Sequence, residues 1–276
     1  MSIWQNVQES LIMMDFIYTF HFQENQKNEA IKRFNLSLDS IDMTECNVCV
    51  INCSDYCIQK DLKYPVKYLH EPKKYEDNLY NRSFMINQCV KKLVTSEYFN
   101  ISDIDILYPK TFVTTIESII KENTKPCRIV YFNNNMGIGD FNTYDECKSN
   151  YETHKDHIRS YRGRAGGLGI VHTKSFHKVN GFEERYIGYG PEDQDFNLRI
   201  SQINKYIELD NENVNTYHIW HSNSTPKKKH RENLRIFNYI RDYIKKNNLQ
   251  LVKSGSIEIP QIIYHQNQKN IVEMEF

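Results

Sequence analysis

The chain has 276 residues, with Lys plus Arg at 35 against Asp plus Glu at 35, hydrophobic residues at 39% and aromatics at 13%. That length and apolar content suffice for one sizeable core and exclude a disordered chain. Zero net charge removes the long-range field that a dedicated nucleic-acid binder needs, and seven cysteines, an odd number in a chain too long to need staples, point to reduced thiols.

Residues 1–14 lack a basic start, and the apolar run Leu11-Ile12-Met13-Met14 is too short for a signal or a membrane span. The expectation is a cytoplasmic protein with no transmembrane segment. Residues 16–22, Phe-Ile-Tyr-Thr-Phe-His-Phe, predict a strand, and residues 25–38 a helix through Ala30, Ile31, Phe34 and Leu38. With a second strand at 48–51 this makes a strand, helix, strand unit, the building block of parallel sheets with right-handed crossovers. Cys46-x-x-Cys49, followed by Cys53 and Cys57, has zinc-like spacing. The segment around it reads as a buried strand, where alternate residues face opposite sides and cysteine acts as a small apolar filler, and no second CxxC follows at ribbon spacing.

An extended piece at 64–69 leads to a helix at about 81–94 that buries Phe84, Met85, Cys89, Val90 and Leu93. The strand at 98–101 ends in Ser102-Asp103-Ile104-Asp105-Ile106, and ligands of open parallel sheets bind at the carboxyl ends of strands. Asp103 and Asp105, two apart on an extended chain, would point the same way and share one cation. A helix over 110–125 and a strand over 127–132 follow, then a long polar excursion at 133–161. Residues 166–171 return to the sheet, 174–179 form a short helix and 193–204 a longer one. Tyr217-His218-Ile219-Trp220-His221 precedes a basic amphipathic helix over 227–246, and strand-like pieces lie at 257–259 and 262–264.

The functional reading concentrates on residues 181–199. There Glu192, Asp193 and Asp195 follow a turn built from Gly188, Gly190 and Pro191, which lets backbone run close to a ligand. Three acids in four positions suggest a site, because a buried unpaired carboxylate would cost several kcal/mol or shift its pKa.

The order of these pieces resembles the GT-A fold of nucleotide-sugar-dependent glycosyltransferases, specifically the beta-1,4-galactosyltransferase family and its bacterial relatives in the large inverting family 2. Four segments over residues 80–221 carry the resemblance. Tyr80-Asn81-Arg82-Ser83-Phe84-Met85-Ile86-Asn87 is similar to the helix start beside the nucleotide, and Asp103-Ile104-Asp105 to the DxD motif. Gly166-Gly167, Asn180-Gly181-Phe182 and 188–195 resemble the acceptor-site signature, and His218-Ile219-Trp220-His221 lies where the family places its last metal ligand. Tyr189, Pro191 and Gln194 depart from that pattern, at positions that bear on the acceptor.

The resemblance implies a single α/β GT-A domain over 1–225, Rossmann-like, with a mostly parallel sheet and helices on both faces. A C-terminal helix and extended tail, 226–276, would pack on it. It implies Asp193 as the base that deprotonates the acceptor, with Glu192 holding donor or acceptor hydroxyls. Arg82, Asn87, Asp103, Gly167 and Tyr189 would meet the nucleotide-sugar, and Asp55 the uracil. Asp105 and His221 would ligate Mn(II) or Mg(II) directly, Asp103 would act through a ribose or water contact, and His218 would be a second imidazole ligand or an aromatic neighbour. The implied substrates are a UDP-sugar donor, with galactose or GalNAc favoured, and a glycan or glycolipid acceptor met in the cytoplasm or at a membrane surface. The same residues leave open an inactive sugar-binding GT-A module, another metal-dependent nucleotide-sugar enzyme, or a retaining transferase.

Overall fold

The computed structural model describes residues 14–75, 79–135, 143–154, 162–164, 168–219, 229–249 and 252–258. The chain opens with β1 (Met14–Phe20), α1 (Lys27–Ser40), β2 (Cys46–Asn52) and β3 (Lys67–His70), and both β1–β2 and β2–β3 pair in parallel. The aromatic and β-branched run of β1 is apolar on both sides because both faces of the sheet are covered. Phe16, Tyr18 and Phe20 join Phe34 and Leu38 of α1 on one face, while Ile17 joins a second cluster on the other.

Next come α2 (Arg82–Lys92), β4 (Tyr98–Ser102), β5 (Ile106–Leu107), α3 (Phe112–Lys121) and β6 (Cys127–Asn135). α2 buries Phe84, Met85, Ile86, Cys89 and Val90 on the second face, and α3 buries Phe112, Val113, Ile116 and Ile120 on the first. The polar stretch after β6 contains α4 (Tyr144–His154) and β7 (Arg162–Arg164). Then follow β8 (Gly169–His172), α5 (Thr173–Lys178), α6 (Glu192–Ile200), β9 (Lys205–Leu209), β10 (Thr216–His218) and α7 (His230–Lys246). The sheet order is β3-β2-β1-β4-β8-β6-β10-β5, with β7 and β9 also paired to β6. β8 runs antiparallel between β4 and β6.

Most of the expected elements are present, and the short strands β5, β7 and β10 are additional to them. α4 and β9 stand where no element was expected, and residues 257–258 form no strand; residues 259–264 lie outside the described residues. α4 has few apolar positions and one buried anchor, Cys147, and β9 is an edge strand with a polar face, so neither shows a strong period. Cys46 packs in the first core cluster, Cys49 and Cys53 in the second, so the two ends of the CxxC face opposite sides of the sheet. Burial pushes each of these three thiols up to about 12, which keeps them protonated fillers. Among the described residues no helix is long and apolar enough to cross a membrane.

Gly169 marks the tightest passage in the sheet. Its φ is +121°, and a Cβ there would stand 2.3 Å from the Ile129 carbonyl oxygen and 2.6 Å from Nη1 of Arg128. Gly169→Ala therefore combines backbone strain with a clash against backbone, together worth about 3 kcal/mol. At roughly 2–4 °C per kcal/mol for a chain of this size, thermal unfolding followed by circular dichroism should show Tm lowered by about 6–12 °C. An unchanged Tm would refute this account of the strand.

Candidate active site

The site forms where β1, β2 and β4 end and where α2 and α6 begin. α2 starts at Asn81, whose Oδ1 accepts from the Phe84 N–H as an N-cap, while its Nδ2 donates to the Glu184 carbonyl. The Gly188 N–H donates to the Tyr80 carbonyl at 2.7 Å, and Gly188 has φ +70°, a left-handed turn that favours glycine. These bonds bring the 184–188 stretch against the start of α2. From α7, Asn233 Nδ2 donates to the carbonyls of Ile187 and Tyr189, closing the turn from behind.

α6 then begins at Glu192, with Glu192 and Asp193 both half-buried in its first turn. Arg82 lies among the acids: its Nη2 donates to Asp103 Oδ1 at 2.9 Å, and it interacts electrostatically with Glu192 and Asp193. Burial opposes the charge on Arg82, but these carboxylates hold its pKa above the ordinary value. Burial pushes Glu192 up to about 7 against the pull of Arg82, and its Oε2 is enclosed with no hydrogen-bond partner among the described residues. Burial also raises Asp193, opposed by the Gln194 N–H and by Arg82 and Arg128.

Arg128 was not singled out in the sequence, where it is one cation on a predicted strand. It is fully buried on β6 and donates to Asn197 Oδ1 at 2.9 Å and to the carbonyls of Leu168, Ile129 and Ile170. Desolvation pushes it down to about 10. It thus pins the middle of α6 to the sheet and leaves a positive field under Asp193. The buried pair Arg199–Asp195, at 2.8 Å, anchors the other end: Arg199 Nη1 also donates to the carbonyls of Val179 and Gly181.

Asp103 and Asp105 do not share a direction. The chain leaves β4, turns at residues 103–105 and joins β5 to β10 in antiparallel pairing, with the Ile219 N–H donating to the Asp105 carbonyl. The expectation of an extended chain here is corrected by that turn. Asp103 consequently faces Arg82, whereas the buried Asp105 stands 3.4 Å from His218 Nε2 and 3.6 Å from Arg33 Nη1 of α1. Among the described residues no three His, Cys, Asp or Glu side chains converge as a metal site, and His221 and Gly167 lie outside them.

The remaining expected residues are placed as follows. Asp55 pairs with Lys74 at 2.9 Å and lines a cavity of about 210 Å³ at the ends of β1 and β2, together with His21, Ser54, Tyr56 and Lys73. Tyr189 is 45% exposed, with its ring 5.1 Å from that of His230. Asn87 is directed elsewhere: its Oδ1 accepts from the Phe182 N–H and its Nδ2 donates to Phe182 O and Glu184 Oε1. A Cβ at Gly181 would stand 2.4 Å from that amide oxygen, so glycine is required for the clamp.

Glu192 makes a pH prediction. A carboxyl whose folded pKa is raised from 4.5 to about 7 contributes stability that is fully present below 4.5 and lost as pH rises through about 7. Glu192→Gln removes that dependence. Wild-type Tm should fall relative to the variant between pH 5 and pH 8, by the equivalent of roughly 2 kcal/mol. Parallel Tm curves for the two proteins would show that Glu192 titrates normally.

A family model described as the N-terminal domain of galactosyltransferase matches residues 149–222, the stretch that carries β8, the turn, α6 and β10. No curated protein matches the chain. Among solved structures, the crystal structure of S. aureus TarS 1-349 is similar at TM-score 0.55 and 15% identity, covering 82% of this chain and 64% of that one. A second S. aureus TarS structure matches at TM-score 0.52 and 16% identity, covering 82% and 39%. The chain thus spans less than two thirds of the length of either neighbour. At these identities the likeness shows the fold, a curled and mostly parallel sheet with helices on both faces. The chain thus has a fold of GT-A type, and its 149–222 stretch is similar to the galactosyltransferase domain that the family model describes.

Proposed function

We propose that the chain is a metal-dependent inverting glycosyltransferase that moves a hexose or N-acetylhexosamine, of galactose or GalNAc type, from a UDP-sugar to a glycan hydroxyl. The observation that carries this reading is the cluster Arg82, Asp103, Glu192 and Asp193. It gathers at the carboxyl ends of the strands, inside the region of galactosyltransferase likeness for its two α6 members. In this reading Asp193 takes the proton of the acceptor hydroxyl as that oxygen bonds to the anomeric carbon. The bond from that carbon to the diphosphate breaks with its electron pair on UDP, and the configuration inverts. Glu192 binds hydroxyls, Arg82 meets the diphosphate, and the cavity beside Asp55 takes the base.

The donor set suits a divalent cation. Asp105 offers a buried carboxylate and His218 an imidazole 3.4 Å away, mixed oxygen and nitrogen donors of the kind Mn(II) accepts. His221 is proposed as a further ligand. The cation, when bound, supplies Lewis-acid neutralisation of the leaving diphosphate.

The test is a UDP-sugar screen with Mn(II) and with EDTA, following thermal stabilisation and UDP release together. Metal-dependent stabilisation with release of UDP is expected, since a ligand that binds only the folded state raises its stability. No stabilisation by any UDP compound would remove the nucleotide-sugar reading. The anomeric configuration of the product by NMR would separate inversion from retention.

A further inference from the structure

Arg199 and Arg128 are both fully buried at α6, and they differ in what they touch. Arg199 has its counter-charge in contact, the Asp195 carboxylate at 2.8 Å. Arg128 bonds to neutral oxygens: its Nε donates to Asn197 Oδ1 at 2.9 Å, its Nη2 to the Leu168 carbonyl at 3.0 Å, and its Nη1 to the carbonyls of Ile129 and Ile170 at 3.2 and 3.4 Å. The ring of Phe196 stands 6.0 Å from its guanidinium carbon. A buried cation bonded only to neutral groups is several kcal/mol worse off than one with an opposite charge nearby, and a guanidinium cannot escape by losing its proton.

The fold places that opposite charge one helical turn away. Asp193 and Asn197 are four apart on α6, so they are neighbours on one face of the helix, with Cβ atoms about 5–6 Å apart. Arg128 is bonded to the second and therefore lies close to the first. Asp193 is the carboxylate that acts on Arg128, and the attraction is mutual: it opposes the burial that lowers Arg128 and the burial that raises Asp193. Asp193 also meets Arg82 of α2, the like charge of Glu192 on its own helix, and the Gln194 N–H. Arg82, however, has Asp103 in contact and Glu192 nearby to share its charge.

We propose that Arg128 is a positioning residue for Asp193: through Asn197 it fixes the first turns of α6, and its unneutralised charge holds the Asp193 carboxylate ionised. This rests on the reading of Asp193 as the base, since the ionised carboxylate is the form that can take the acceptor's proton. It also explains why a neutral amide at 197 suits the site: a carboxylate there would consume the charge of Arg128.

The test reads the ionisation of Asp193 without needing turnover. Burial raises this carboxyl, so the wild type loses stability relative to Asp193→Asn as pH rises through its folded pKa, and the Tm difference between the two proteins has its midpoint there. The same pair is then compared in full-length Arg128→Lys, Arg128→Gln and Asn197→Asp backgrounds. Arg128→Lys keeps the charge and should keep the midpoint within about 0.3 pH unit. Arg128→Gln should move it up by about one pH unit or more, as for loss of a unit charge within about 10 Å at an effective dielectric of about 20. Asn197→Asp keeps the bond to Arg128 Nε, so it folds where Arg128→Gln does not, and should move the midpoint up by a similar amount. The like charge at i,i+4 alone gives no more than about 0.4 pH unit. A purely structural role would lower Tm in Arg128→Lys and Arg128→Gln alike and leave every midpoint in place.

A midpoint within about 0.4 pH unit of wild type, in whichever of Arg128→Gln and Asn197→Asp folds, overturns the proposal. In the UDP-sugar assay the acid limb of kcat should move with the midpoint, and a limb that stays while the midpoint moves overturns the catalytic use and Asp193 as base. Absence of turnover in the wild type counts against the transferase reading instead, and the Tm midpoints then decide the role of Arg128.

Discussion

Asp193→Asn should lower kcat by about 10²–10⁴, the range that a positioned general base contributes. The substitution is nearly isosteric. Asp193 Oδ1 accepts from the Gln194 N–H at 2.8 Å, and an asparagine oxygen keeps that bond, so α6 should start as before. Donor binding, read as UDP-sugar stabilisation in the same preparation, should change by no more than about twofold, because the proposed role acts on the acceptor proton. The pH profile gives the sign. Burial raises the Asp193 pKa, so turnover of the wild type should fall as pH drops through that raised value, and this acid limb should vanish from the residual activity of the variant. A kcat within about tenfold of wild type would place the base elsewhere, and Glu192 would be the next residue to test.

The largest effect on stability is expected at Arg199. Asp195 and Arg199 are both essentially inaccessible to solvent, and removing one partner leaves an uncompensated buried charge, which destabilises by about 3–5 kcal/mol. Arg199→Met also orphans the carbonyls of Val179 and Gly181. At roughly 2–4 °C per kcal/mol, Tm should fall by about 6–20 °C. Two further measurements distinguish this from a simple packing defect. The deficit should shrink as pH is lowered, because a protonated Asp195 carries no unpaired charge, and burial already raises its pKa. The double variant Asp195→Leu with Arg199→Met should recover part of the loss, since an apolar pair of similar volume avoids the desolvation penalty. A double variant no better than Arg199→Met would show that the carbonyl bonds, rather than the charge pair, hold α6.

Both predictions concern one helix, and α6 shows why position matters here. Its first turn carries the proposed base, its middle is held by Arg128 through Asn197, and its end by Arg199. The N-terminal acids are therefore fixed by bonds to β6 and to the 179–181 turn, rather than by helix propensity, which a nine-residue helix supplies poorly.

Much of this was legible in the chain itself. The aromatic and β-branched runs of β1 and β2, the apolar spacing of α1 and α2, and the turn with its acids before α6 are local signals. They are set by side-chain period and by the backbone freedom of Gly188. What the sequence could not decide is which residues meet across long separations. Arg82 and Asp103 are 21 residues apart, Arg128 and Asn197 are 69 apart, and Asn81 and Glu184 are 103 apart. The DxD spacing implied two carboxylates facing one cation, yet pairing of β5 with β10 bends the chain between them and sends Asp103 to Arg82 and Asp105 to His218. A local pattern fixes which groups are present and roughly on which element. Only the closed sheet, by choosing neighbours and excluding water, fixes which charges pair and which carboxyl groups are raised.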